Sequence, residues 1–209
     1  MRDSKEDLIL FKSTQVLEAE FTAATTGILS CATHGLSAGD KIQVTTSAGD
    51  LPSGLSVSTD YFVIEPVAAG TFKISATSSG PAVTIADAGS GTHTLHVKSK
   101  VQMISNFRHA ILTMHTADSA NFTAKVQISM QSDVDFESAA TATNRWEYVQ
   151  IVDREDGDTF DGDTGFSLAP AGTDDNRQFS INQDGGGLVC IDITTWTAGT
   201  LDARVSVYS

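Results

Sequence analysis

Apolar and polar side chains alternate with period two along much of the chain. Over residues 121–130, Phe122, Ala124, Val126, Ile128 and Met130 fall on one side, and Thr123, Lys125, Gln127 and Ser129 on the other. Over 201–208, Leu201, Ala203, Val205 and Val207 stand opposite Asp202, Arg204, Ser206 and Tyr208. Successive side chains leave a strand on opposite faces, so this alternation predicts strands with one buried and one wet side. Further strands are expected at 16–22, 41–46, 60–65, 71–75, 82–86, 92–98, 101–105, 109–115, 146–152, 177–182 and 188–194. Clusters of Gly, Pro, Asp and Ser at 47–50, 78–81, 87–91 and 184–187 supply the turns between them. Only 4–11 has the makings of a short helix. Strands at this spacing predict an all-β chain, a β-sandwich of jelly-roll type.

The character of the chain changes near residues 23 and 98. Between them the strands are short, the turns are glycine-rich, and the net charge is only −2, against −9 for 99–209. This predicts a small β-barrel domain (23–98) inserted in a loop of a larger jelly-roll-like sandwich (99–209). Residues 1–22 then form an N-terminal segment that contributes the first strand of the sandwich, at 16–22. Surface loops accept such insertions when their ends lie close together.

The insert carries ordered submotifs: His34-Gly35-Leu36-Ser37-Ala38-Gly39-Asp40, Leu51-Pro52-Ser53-Gly54-Leu55, Tyr61-Phe62-Val63-Ile64, Thr71-Phe72-Lys73-Ile74 and Gly89-Ser90-Gly91-Thr92-His93. Together they resemble a small module common in virion proteins of tailed bacteriophages. The module is distantly similar to the first-catalytic-cysteine half-domain of ubiquitin-activating enzymes. The resemblance spans about residues 25–97 and includes no counterpart of that family's catalytic cysteine, so it implies a β-barrel and no enzymatic activity. The residues themselves read as structural. Gly35 and Gly39 suit turns that need positive φ, Asp40 can close a turn through its carboxylate, and Pro52 and Gly54 bracket another. Tyr61, Val63, Phe72, Ile74, Val83 and Ile85 are expected to fill the barrel. The stretches 144–150, 161–165 and 172–179 are similar to phage structural proteins with a jelly-roll-like body.

Composition narrows the function classes. The chain has 209 residues and a net charge of −13, with 22 Ser and 25 Thr. A chain this acidic lacks the basic face that nucleic-acid binding requires. No apolar run reaches the roughly 18 residues of a membrane span, and the charged N-terminus does not read as a signal peptide. Cys31 and Cys190, in apolar strand-like runs, read as buried thiols in a protein made in a cytoplasm.

Chemistry-bearing patterns are sparse. Residues 153–163 carry six carboxylates broken by glycines, and Asp156, Asp158, Asp161 and Asp163 are the candidate ligands for a hard cation such as Ca²⁺. The spacing fits no EF-hand, and a solvated acidic loop, or a docking patch for a partner's Lys or Arg, is the preferred reading. His93 and His96 should fall on opposite faces of a strand, while His109 and His115 can share one. No pair has zinc spacing, there is no nucleophile elbow, and Gly185-Gly186-Gly187 lacks the Lys of a phosphate loop. Trp146 and Tyr148 are expected to share a core face with Val152. The alternative, with Trp196, is a sugar-stacking platform. Trp196, in an expected turn at 194–199, is the better candidate for an exposed contact with a carbohydrate or a neighbouring subunit.

These readings lead to a non-enzymatic structural protein of a phage virion, assembled in the bacterial cytoplasm, with no cofactor. The expected role is a capsid decoration or cement protein on the outer head. It would contact the major capsid protein or other virion proteins and act as a homo-oligomer; a trimer would suit capsid three-fold positions. The alternatives are a tail, neck or fibre component acting in host adsorption, and a carbohydrate-binding or hydrolytic β-sandwich.

Overall fold

The computed structural model describes residues 5–131, 145–168, 175–182 and 187–208. All regular elements among these residues are strands. In chain order they are β1 (Lys5–Phe11), β2 (Glu18–Ala23), β3 (Leu29–Ser30), β4 (Lys41–Thr46), β5 (Tyr61–Ala68), β6 (Thr71–Ser75), β7 (His93–Val97), β8 (Gln102–Met103), β9 (His109–Ser129), β10 (Glu147–Tyr148), β11 (Ile151–Asp153), β12 (Thr159–Phe160), β13 (Phe166–Leu168), β14 (Asp175–Ile181) and β15 (Leu188–Tyr208). The chain divides into two compact units, with residues 14–98 in one, and 5–13 and the described residues from 99 onward in the other. The 14–98 unit is a closed barrel in the order β2-β3-β6-β5-β4-β7. The other holds a nine-stranded sheet ordered β1-β15-β9-β14-β11-β12, in which β10 and β13 pair with β9, and β8 pairs with β15. At this coarser level the expected all-β architecture stands.

Two expectations about the N-terminal segment are corrected. Of the stretch 4–11, expected as a weak helix, the described residues 5–11 enter the sheet as β1, pairing from Lys5↔Tyr208 to Phe11↔Ala203. A short apolar run such as Leu8-Ile9-Leu10-Phe11 suits either conformation, and the open edge of β15 decides between them. The strand expected at 16–22 for the sandwich is β2 instead, and it joins the barrel through Glu18↔His96 and Phe21↔His93. The first strand of the large sheet is therefore β1, and the barrel begins near Thr14 rather than at 23. Alternation reports that one face is buried, and says nothing about which sheet buries it.

The large sheet depends on two strands of 21 residues each, β9 and β15. Four strands were expected in their place. The alternation lapses at 117–119 and 194–199, yet the hydrogen-bonded ladder continues through both lapses. Ala117 pairs with Thr200 and Asn121 with Ala198, so Asp118, Ser119 and Ala120 together face Gly199 alone. Asp118 and Ser119 sit at φ 58° and 59°, and Gly199 at φ 98°. Bulges of this kind bend a strand pair sharply. Phe166 pairs beside Ala124 and Phe179 beside Leu112. On a straight strand, positions twelve residues apart would be about 40 Å from each other. The Phe166 and Phe179 rings nevertheless stand 4.7 Å apart, so the strand pair folds back and the two halves of the sheet close on each other. Phe160 completes this cluster, and Phe122, Leu112, Val205 and Val207 are buried with it. Met130, expected on the buried side of its strand, lies beyond the end of β9 and is 69% exposed.

In the barrel, Ile42, Val44, Val63, Phe72, Ile74, Leu95 and Phe21 fill the interior. Of the six residues expected there, Tyr61, Val63, Phe72, Ile74 and Ile85 are buried. Val83 is half-buried, because 82–86 makes only the single bridge Ala82↔Ser75. Asp40 closes its turn as expected, its carboxylate accepting the Ser37 N–H at 2.8 Å and the Gln15 amide at 2.7 Å. At Gly35, φ is +63°, and a Cβ would meet the Thr14 carbonyl at 1.7 Å.

The corner yields a prediction. Gly157 and Gly199 both have positive φ, but a Cβ at Gly157 meets nothing within 4 Å, while one at Gly199 meets the Ala120 Cα at 2.2 Å. Gly157→Ala should cost about 1 kcal/mol from backbone strain alone. Gly199→Ala should cost about 2–3 kcal/mol more, since the corner must open to admit it. Urea unfolding of the two variants measures the difference.

Candidate functional site

The acidic stretch 153–163 connects β11 to β12 and runs on towards β13. Asp153 closes β11 on its buried side, and its side chain has no solvent exposure. Opposite it, Arg177 of β14 places Nε 3.3 Å from Asp153 Oδ2 and donates from Nη1 to Glu155 Oε2 at 2.6 Å, with Asp175 at 3.8 Å. The hydrogen bond to Glu155, reinforced by the charges of Asp153 and Asp175, holds the guanidinium above its ordinary pKa. Arg177 thus gives Asp153 and Glu155 a basic partner from within the chain. Arg177 was not singled out from the sequence, although a signal was present: it shares strand parity with Phe179 and Ile181, and a cation on a buried face requires a carboxylate.

Two of the loop's four other carboxylates, Asp156 and Asp161, bond to its own backbone. Asp156 Oδ1 accepts the Asp158 N–H at 2.9 Å, and Asp161 Oδ1 accepts those of Asp163 and Thr164 at 2.9 and 3.3 Å. Asp153 Oδ1 accepts the Glu155 N–H at 2.9 Å. These are Asx turns, in which a short carboxylate mimics a backbone turn. All four candidate ligands are exposed, and of them Asp156 and Asp161 cap turns. Among the described residues, no three acidic, His or Cys side chains are grouped to hold a metal ion.

Trp196 lies within β15 at the bulged corner rather than in a turn. It is half-buried, its ring stacked on Phe122 at 5.5 Å and 25°. The core face expected for Trp146, Tyr148 and Val152 does not form, since Tyr148 and Val152 are 38% and 36% exposed. Their short strands, β10 and β11, pair with different neighbours, β9 and β14 respectively. The Tyr148 hydroxyl donates to Asp192 Oδ2 at 3.0 Å, and Lys125 Nζ sits 4.7 Å over the ring. Partial burial, and then Asp192, push the Tyr148 phenol up from its ordinary pKa. One aromatic face is thereby occupied by a cation, and Trp196 lies elsewhere, at the corner. Among the described residues, no ring contact joins Trp146, Tyr148 and Trp196.

The histidines separate as expected. His93 is buried, while His96 faces outward between Thr45 and Glu18. His109 and His115 share the solvent face of β9, one stacked on Tyr208 and the other bonded to Asn176. Cys31 and Cys190 are both buried and not joined in a disulfide, and burial pushes the Cys31 thiol up. A cleft of about 390 Å³ opens on the barrel beside Glu20, Ser30, Cys31 and the 88–92 loop. Its floor explains the Gly89-Ser90-Gly91-Thr92-His93 submotif. A Cβ at Gly91 would meet the Ala48 carbonyl at 1.7 Å, and one at Gly89 the Asp50 carbonyl at 2.5 Å, so two loops lie backbone against backbone. Facing only a carbonyl, His93 Nε2 must donate to Ala88 O, at 3.1 Å, while Nδ1 meets the Thr46 hydroxyl at 3.2 Å. Beside them, the Gly89 N–H, with Ser53 adding its own bonds, holds the Asp87 carboxyl below its usual range. Portions of the stretches 144–150 and 172–179, and residues 184–186, lie outside the described residues.

No family model matches this chain, and neither a curated protein nor a solved structure does.

Two measurements follow from the loop. Arg177→Met leaves the Asp153 carboxylate buried without its partner and should destabilise the chain by about 3–5 kcal/mol, whereas Arg177→Met combined with Asp153→Leu should recover most of that loss. Thermal melts in EDTA, in added Ca²⁺ and in matched NaCl separate the two readings of the loop. The expected outcome is no EDTA effect and a rise with NaCl as the carboxylates are screened. A drop in EDTA that only Ca²⁺ restores would make Asp156, Asp158, Asp161 and Asp163 the ligands to replace.

Proposed function

We propose that this chain is a structural protein of a tailed-bacteriophage virion, a decorating or cementing protein that binds the outer head surface as a homo-oligomer against the major capsid protein. The observation that carries the reading is the insert. The submotifs that resemble the virion module fall within a single closed barrel, and their residues line its core or form its turns. In this reading the folded sheet is the jelly-roll-like body and the barrel is the module it displays. The charge of −13 favours contact with basic groups of a protein partner over nucleic acid.

Immunogold labelling of intact particles, with an antibody raised against the purified chain, tests this reading. Label spread over the heads in many copies is the expected result. Label confined to the tail, neck or fibres would replace the head assignment with one in host adsorption, and particles without label would remove the virion reading.

A further inference from the structure

The solvent face of the large sheet is laid out by its registers. Asp7, Ser206, Ile111, Ser180, Val152 and Thr159 form one row across six strands. Arg204, Thr113 and Gln178 form the next. The opposite parity, with Leu112, Phe179 and Val205, is buried, so these rows face outward. Two features set this face apart. First, branched apolar side chains stand at wet positions: Val152 is 36% exposed and Ile111 half-buried, with only a serine between them. Second, its charges close on each other. Arg204 holds Asp202 in a two-pronged pair at 2.7 and 3.1 Å, and Asp7 accepts from the Ser206 hydroxyl.

We propose that this face is a self-association surface, and that its occupant is the same face of a second copy of this chain. A chain of net charge −13 repels its own copies, and they approach at least electrostatic cost where the charges are already paired. Here one Arg stands with two Asp, so the face carries both signs, and a two-fold apposition with the Arg204 rows facing would set each Arg204 against a carboxylate of the other copy. The face is about 24 Å across and about 20 Å along the strands, so a pair buries about 1,000 Å², the lower bound for a specific interface. The association is accordingly weak in free solution and gains strength when copies are held side by side on a lattice. The inference deepens the reading above, because a coat built of copies uses such a contact. It is tested on the purified chain, so its failure would leave the head-labelling result untouched.

Sedimentation equilibrium of the full chain over a range of protein concentrations is the test. The expected result is a concentration-dependent dimer that Val152→Glu weakens at least tenfold, with circular dichroism confirming that the variant is folded. Gln178→Glu, at an exposed position of the same face, should weaken it in the same direction and decides the matter if Val152→Glu misfolds. Val57→Glu, at an exposed valine of the barrel, should leave association unchanged. A monomer at every concentration, association indifferent to the face variants, or an equal loss from Val57→Glu would overturn the proposal.

Discussion

Seven of the nine strands in the large sheet are β9, β15 or a direct partner of one of them, and those two strands stay paired on both sides of the corner at Asp118, Ser119 and Gly199. The constraint is one of space. Three residues of β9 pass opposite one residue of β15, and Gly199 lies so close to Ala120 that no side chain fits between them. Because the pair bends there, Phe166 and Phe179 meet, and with Phe160 they build the aromatic centre of the core. Without the bend, both apolar faces would remain open to water. The cost of two non-glycine residues at positive φ is offset by the burial of aromatic and branched side chains from both halves.

The barrel obeys a different constraint, the close approach of backbones. Gly35, Gly54, Gly89 and Gly91 stand where a Cβ would strike a carbonyl, and its buried polar groups tie loops together: Asp40 with Ser37 and Gln15, His93 with Thr46 and Ala88. A unit of 85 residues has limited core, and such ties add definition that burial alone does not supply. The submotif His34-Gly35-Leu36 follows the same logic, with His34 Nδ1 accepting the Leu36 N–H at 2.9 Å and the ring edge-on to Phe72.

Charge is managed locally. The acidic loop folds on its own amides and on Arg177. The outer edge of β1 is treated similarly. The Ile9 carbonyl is taken by the Gln102 amide at 2.6 Å and the Leu10 carbonyl by the Lys100 N–H at 3.0 Å, while Glu6 and Asp7 keep the remainder charged. Edge strands protected in this way resist unplanned pairing.

Local chemistry was legible in the sequence. The alternation at 121–130 and 201–208 reported buried faces, Gly35 and Asp40 reported their turn, and the parity of His93 and His96 placed one inside and one outside. Each of these depends on bonds and sterics within a few residues, which a linear pattern records directly. The partners were not legible. That β2 joins the barrel, that four expected strands are two continuous ones, that Arg177 meets Asp153 across β11 and β14, and that Trp196 lies on Phe122 all depend on pairings between residues far apart in the chain. Periodicity states that a side is apolar and leaves open what will cover it; only the folded chain, by bringing distant strands edge to edge and face to face, supplied the answer.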